Sequence, residues 1–480
     1  MNNKLRPVWL IAKRELRDQL RDWRILSPLV ILTVGFPFLM NAFAQQAVGF
    51  ANQYGGNLIL DRLVPFSVLI IGFFPLTISL LGALESFVGE KERGTIEPLL
   101  GTPLADWQLY LGKLLIGVVT PLVSSLLAIG IYLVVVSRQA VNMPELSVFV
   151  QLFLLTIAHA VLMVSAAIMF SIQSTSVKAA NLMASFIIIP VALLMQGESA
   201  LLFWGNNQVL WLAVVAVLIM AGLIVRLGLA HFQREYLLGR EIDMLNIRWM
   251  ARTFWGYFKG DAHSFWGWYR DSVGGTLRKL QKPILLLVFL AAAGIGIAYV
   301  WAVGNLQTYL DTVKPEQLAE IQERLVRVGD LSEISGELTA PALFLHNLQS
   351  ILLIAFFGLF SFGVLGVILY LVNTSIIGGL LGLFKLLNDV PISILVVAGI
   401  LPHGIFEIPA LILSCAAVLH IGLVLVTPQA GRTVGEVLIE ALADWARVVV
   451  GLVIPLLAIA AYIEANVTPQ LLMNAISAIK

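Results

Sequence analysis

The sequence predicts an all-α polytopic membrane protein, a six-span half followed by a domain of about five spans. Three observations carry that expectation. Of 480 residues, 59% are hydrophobic and 12% charged, and mean hydropathy is +0.91; a soluble domain has about a quarter charged residues. Apolar runs of about 20 residues, the length that crosses a bilayer core, recur along the chain. Lys and Arg gather in the connections that would share one side of a membrane. A formal net charge of +1 gives no argument for nucleic acid, and the single Cys415, in an apolar run, excludes an intrachain disulfide framework.

Residues 1–24 hold seven Lys/Arg and three acids, and no small-residue cleavage site follows the first apolar run, so that run is expected to remain a span. Trp9, Ala12, Leu16, Leu20 and Trp23 recur at three- and four-residue steps opposite Lys13, Arg14, Arg17 and Arg21. That spacing predicts an amphipathic helix over 8–24 in the cytoplasmic interface. Spans are expected at 26–46, 64–84, 113–136, 147–170, 180–197 and 207–230, then at 283–303, 348–371, 388–403, 407–426 and 446–463. The basic N-terminus is expected in the cytoplasm. Six crossings return the chain there at 231–282, where nine Lys/Arg meet five acids. Eleven aromatics in 231–282, including Trp249, Trp255, Trp266 and Trp268, could suggest single-stranded nucleic acid. Flanking spans favour an interfacial linker instead, so 236–282 is expected to separate domains 1–235 and 283–480, with no nucleic-acid partner. The C-terminus then falls outside.

The segment GEKERGTIEPLLGTPLADW, Gly89 to Trp107, interrupts the apolar pattern. Glu90, Lys91, Glu92, Arg93 and Glu97 crowd into it. Thr95 is a good N-cap, with Glu97 in the first turn, where the helix dipole favours an acid. Pro98 is tolerable in a first turn. Gly101 could end this short helix in a left-handed conformation, and Thr102 could cap a second helix with Pro103 at its first position. The expectation is a short rigid helix, a break, and a longer helix entering the third span. Such a segment can receive force and pass it on.

GEKERGTIEPLLGTPLADWQLYLGKLL resembles the cytoplasmic coupling segment of type-2 ABC exporter permeases, and QSTSVKAANLMASFIIIPVALL (173–194) is similar to that family's connection between its fourth and fifth spans. The resemblance covers about residues 1–235. It implies that Glu90, Lys91, Glu92, Arg93, Gly94, Thr95, Glu97, Leu99, Leu100, Thr102 and Pro103 couple to an ATPase, which the N-terminal helix also contacts. The chain has no G-x-x-x-x-G-K-[ST] phosphate loop, Gly112-Lys113 lacking the glycine-rich turn and the hydroxyl residue. ATP and Mg²⁺ are therefore expected in a separate subunit, with no cofactor and no catalytic residue in this chain. The second half does not repeat the motif, so one chain supplies one permease half.

Beyond residue 283, a helix is expected outside the membrane within 305–340, where Leu318, Ile321, Leu325 and Val328 share a face amid seven acids and three basic residues. Polar residues then occur where they are costly: Asn347, Asn373, His403, Glu407, His420 and Glu464. FLHNLQSILLIAFFGLFSFGVLG, VNTSIIGG, ILPHGIFEIPALIL and AAYIEANVTP, in that order, resemble the stage II sporulation protein M family, with Pro-His-Gly-x-x-Glu its most recognisable signature. Asn373-Thr374 departs from the family's usual Asn-Gly. The resemblance implies a fold and a cell-envelope context, and no reaction.

Pro402 and Gly404 predict that a helix starts at the signature, leaving a break between the ninth and tenth spans. His403 and Glu407, four residues apart, would then satisfy exposed amides, with Asn347 or Asn373. The alternative is a metal or proton site with a third ligand from Glu464 or His420; no metal is assigned on these grounds. Three functions fit. The first is the permease of an ATP-driven exporter in the cell membrane, paired with a second copy or another permease and moving amphiphilic or envelope-related cargo. The second is a membrane-embedded hydrolase using His403 and Glu407, with His420 or Glu464. The third is a scaffold passing ATP-driven motion to an extracellular envelope partner.

Overall fold

The computed structural model describes residues 5–54, 57–138, 143–174, 176–177, 180–181, 185–204, 208–232, 247–310, 339–387, 391–427, 432 and 434–478. The described residues form helices and their connections. Among the described residues, ten helices are long and apolar enough to cross a membrane, and Ile187–Leu202 is a shorter apolar one. The protein is a multi-pass membrane protein. The chain divides into two compact units, Met1–Leu245 and Asn246–Lys480.

In the first unit, α1 (Arg6–Gln19) begins one residue before Pro7, which suits a first turn because it lacks an amide donor. It is shorter than expected. Trp23 opens the next helix, and Val8 and Ala12 are the residues α1 buries, while Trp9 and Leu20 are exposed. Then come α2 (Trp23–Tyr54), α3 (Asn57–Glu92), α4 (Ile96–Leu100), α5 (Asp106–Val136), α6 (Leu146–Gln173), α7 (Ser185–Trp204) and α8 (Leu210–His231). α3 and α6 are the central helices, packed on each other and buried over much of their length. Along the middle of α2 and α5, exposed side chains such as Ile31, Phe38, Val123 and Leu127 are apolar, as a lipid-facing surface requires. Ser125 spans α5 and α3, its hydroxyl donating to the carbonyl of Gly72 at 2.7 Å. Lipid is as apolar as leucine, so such packing and polar bonds, rather than water exclusion, hold the helices together.

The second unit starts earlier than the expected linker boundary. α9 (Ile247–Lys259) and the stretch leading into α10 (Gly274–Leu310) are helical and belong to it. α10 follows a turn, Phe265–Gly267, and a π-helical stretch, Trp268–Val273. α11 (Ala340–Phe360) and α12 (Val364–Leu387) replace the single span expected at 348–371. The chain reverses between them through Phe362 (φ 53°) and Gly363 (φ 91°). This turn sits on Gly422, where a Cβ would overlap the Phe362 carbonyl.

The opposite correction applies to 388–403 and 407–426. These form one continuous helical stretch, Ile392–Leu425. Its last part is α13 (Leu401–Leu425), entered through π-helical Leu395–Ile400. Pro402 can donate no amide, and its ring would clash within a regular helix. The widened π register, in which Leu401 N–H donates to the Val396 carbonyl, lets the helix run past it. α14 (Val434–Val448) repeats the device, passing through π-helical Val449–Val453 and Pro455 into α15 (Ile454–Asn466). α16 (Thr468–Ser477) turns back against Leu395–Ile400. The five spans expected in this half are therefore present with different boundaries. Of 305–340, residues 311–338, including Leu318, Ile321, Leu325 and Val328, lie outside the described residues.

The closest seam is between α10 and α12. Tyr370, fully buried, donates to the Leu287 carbonyl at 2.9 Å. Farther along, a Cβ on Gly378 would overlap the Ile295 carbonyl, and one on Gly382 would crowd Ala302. These contacts pair increasing numbers on both helices, so the two run parallel.

Candidate functional site

Two groups of polar residues stand out, one in each unit. In the first, α3 does not end where its apolar run ends; it carries Glu90, Lys91 and Glu92 as its last turn. Gly94 then adopts φ 68°, and Thr95 N–H donates to the Glu90 carbonyl at 3.0 Å, closing the helix. The left-handed glycine is thus Gly94, and Gly101 is not one. Thr95 directs its hydroxyl back to the Glu90 carbonyl, 3.4 Å away. α4 ends with Gly101 N–H on the Glu97 carbonyl at 2.9 Å. Thr102 and Pro103 lie in the following break, because α5 begins at Asp106 with Ala105 as its N-cap. The Gln108 side chain accepts from Ala105 N–H at 2.9 Å, which fixes that later start better than Thr102 could. Arg93, Gly94, Thr95, Glu97 and Pro98 are exposed, while Ile96 is buried. Leu99 and Leu100 end α4, and their side chains are not among those described.

The charges flanking α4 tie helix ends together. Lys113 of α5, its side chain 1% exposed, stands 2.7 Å from Glu15 of α1 and 3.3 Å from Glu90 of α3. It also donates to the Ser86 carbonyl at 2.7 Å and lies over the Phe87 ring. Arg14 reaches Glu90 at 3.4 Å. Lys91 donates to the carbonyls of Ile172 and Ser174 at 2.6 and 3.3 Å, satisfying the end of α6. Glu92 accepts from Val177 N–H at 2.7 Å. α1 comes close to α5 at Gly112, where a Cβ would stand 2.8 Å from Ile11. The ends of α1, α3, α5 and α6 are thus joined around the base of α4. Sequence reasoning found the acidic and basic residues of α3 but missed Lys113, whose only signal is a lysine inside an apolar run.

Another buried pair was missed. His159 Nδ1 donates to the Leu155 carbonyl at 2.9 Å, leaving Nε2 3.3 Å from Glu198 Oε1, with side chains 4% and 3% exposed. One proton between those two atoms makes the contact attractive in either of its positions.

In the second unit, His403 and Glu407 lie one turn apart on the same face of α13, and Glu464 meets them from α15. One ligand atom from each lies within 4.8 Å of the others. The Thr468 hydroxyl stands 3.2 Å from His403 Nδ1, and His346 lies near enough to Glu407 to act on it electrostatically. The expected helix break is absent, so the pair has no freed amides to satisfy. Asn373 does not serve it either; its amide donates within α12 to the Leu369 carbonyl at 2.9 Å. Asn347 is half-buried on α11. His420 lies 17 residues along α13 from His403, about 26 Å by helical rise. Its charged neighbours are Asp444, Lys279 and Glu440, which excludes it as the third ligand.

Those neighbours form a separate network. Asp444 accepts from Thr276, Lys279 and Arg447 at 2.9, 2.8 and 2.8 Å. Glu440 bridges Lys279 and Arg432. Arg447 and Trp268 both donate to the Phe258 carbonyl, anchoring α9 to α14. The interleaved aromatics and basic residues of 247–282 are in part structural ties of this kind.

Against known proteins, residues 9–209 match the ABC-2 family transporter protein model. That match falls within the first unit. Residues 285–469 match the model for Stage II sporulation protein M, in the second unit. The "Probable ABC transporter permease protein NosY" of Pseudomonas aeruginosa is 40% identical over 111 residues, 22% of this chain and 38% of that protein. The protein of the same name from Stutzerimonas stutzeri is 38% identical over 112 residues, 23% of this chain and 38% of its own length. The chain therefore spans well under half of these relatives. No solved structure matches.

Proposed function

We propose that this chain is the permease subunit of an ATP-driven exporter, turned by a separate ATPase that docks at α4 and α1. The observation that supports it best is the junction at the base of α4. An exposed short helix leads directly into a turn where Glu90, Lys91 and Lys113 hold the ends of four helices. A push on such a helix is distributed to the membrane segments instead of being lost in a loose loop. The ABC-2 match of the same region agrees with this reading. ATP and Mg²⁺ belong to the partner. The cargo class is amphiphilic or envelope-related, the N-terminus is cytoplasmic, and two copies assemble with two ATPases. Single cysteines at Thr95 or Glu97, both exposed, test the docking by cross-linking. An adduct to the ATPase is expected; no adduct in membranes containing that ATPase overturns the proposal.

A second reading rests on the size of the second unit, which holds about half the chain and its own core. In it, ATP-driven motion is passed to an extracellular envelope enzyme and nothing crosses. ATPase activity without flux of any amphiphile in reconstituted vesicles would favour this scaffold.

A further inference from the structure

The permease reading leaves His403, Glu407 and Glu464 without a task. We propose that these three residues bind one divalent transition-metal cation of the zinc class. The convergence is built by the fold. The π-helical stretch before Pro402 lets α13 continue, so His403 and Glu407 project from one face, and Glu464 arrives from the last turns of α15. The three ligand atoms already lie within 4.8 Å of one another. A tetrahedral ion with ligands at about 2.1 Å would draw them to about 3.4 Å, a movement within side-chain rotation.

Charge supplies an independent argument. Glu407 and Glu464 are half-buried neighbours. Among the described residues, neither forms an ion pair with a lysine, arginine or histidine, His346 near Glu407 included, and neither accepts a hydrogen bond. Two adjacent carboxylates in an apolar helix bundle repel unless a counter-charge joins them. One dication balances both, and a neutral imidazole completes the set. Thr468 occupies His403 Nδ1 at 3.2 Å, which orients the ring and leaves Nε2 to ligate. One nitrogen and two carboxylates favour zinc or a similar transition ion over calcium or magnesium, which take six or more oxygens. Three protein ligands also leave a position for water or an incoming group.

The alternative counter-charge is a proton shared by the two carboxylates, and metal analysis separates the two. Full-length protein in detergent, stripped with chelator, loaded with Zn²⁺ and freed of excess, is expected to retain one zinc per chain. Glu407→Gln and Glu464→Gln keep side-chain shape and are each expected to weaken zinc binding at least tenfold. His420→Ala, on the same helix but remote, should bind like the wild type. Size-exclusion profiles monitor folding, and a zinc-dependent rise in the wild-type melting temperature gives a readout that needs no variant. No retained zinc with no thermal shift would overturn the proposal, as would unchanged zinc in the Glu407→Gln/Glu464→Gln double variant. Neither result bears on ATPase docking, which the cysteine cross-links test separately.

Discussion

Lys113 is where a single side chain carries most consequence. Its ammonium serves Glu15, Glu90 and the Ser86 carbonyl from an almost fully buried position. Removing one partner of a buried ion pair strands the other charges and costs about 3–5 kcal/mol. Lys113→Ala is therefore expected to lower the melting temperature of the detergent-solubilised protein markedly. Lys113→Ala/Glu15→Gln should recover part of the loss, because one stranded carboxylate is gone. A melting temperature within error of the wild type for Lys113→Ala would contradict this account. His159 and Glu198 give a milder case. Glu198→Gln preserves shape and can donate its amide to His159 Nε2, so it should be tolerated. His159→Leu leaves a carboxylate buried among apolar neighbours and should reduce the yield of folded protein. Equal yields from the two variants would mean that the pair is energetically silent. Neither site was legible in the sequence. A lone histidine and a glutamate 39 positions apart give no periodic signal, and only the packing of α6 on α7 brings them together.

At the scale of elements, the reversal between α11 and α12 depends on a helix that it does not belong to. Phe362 and Gly363 have positive φ, and their turn lies on Gly422 of α13. Gly422→Ala adds a methyl where the Phe362 carbonyl sits. Overpacking of this kind costs about 1–3 kcal/mol, and rigid backbone here favours the upper end. Retarded unfolding or an unchanged melting temperature would refute that expectation. The π-helical stretch 395–400 allows a different test. Deleting Val397, which is exposed, removes the extra residue and turns His403 by about 100° relative to the preceding helix. Helix packing should be disturbed around α16, which packs on this stretch and whose Leu472 a Cβ on Gly399 would meet. Hydropathy gave eleven spans where, among the described residues, ten helices are long enough to cross and Ile187–Leu202 is shorter, and these two boundaries it did not give. The run IAFFGLFSFGVLG stays apolar across the reversal, so composition cannot register it. Pro402-His-Gly404 reads as a helix start because a widened backbone register leaves no mark in side-chain pattern. The coupling segment was better written, its charges and glycines marking an end to α3. The helix start after Thr95 was placed correctly, whereas the start expected after Thr102 falls three residues later, at Ala105, where the Gln108 side chain takes the cap.

The whole molecule joins, in a single chain, a unit that matches the ABC-2 family transporter model and one that matches the model for Stage II sporulation protein M. Closed two-fold assembly is the commonest arrangement of identical subunits. Native mass measurement is expected to find two copies of this chain with two ATPases, and one copy with no second permease would exclude it. The class of fold and the division into two halves were legible because both depend on long apolar runs and on charge placement. The cluster at His403 was legible only in part, since Glu464 lies 57 residues beyond Glu407 and the chain must cross the bundle again to deliver it. The parallel seam of α10 and α12 has its own consequence for how this protein is made. Gly378 and Gly382 are poor contributors to hydrophobicity but allow the two backbones to approach. Gly378→Leu would make α12 a better substrate for insertion while abolishing its fit to α10. Its product should be threaded through the bilayer with every loop on its proper side, yet be cleared by membrane proteases as an unassembled chain. Getting into the lipid and finding a neighbour there are thus set by different residues of one helix, and a single glycine can separate them.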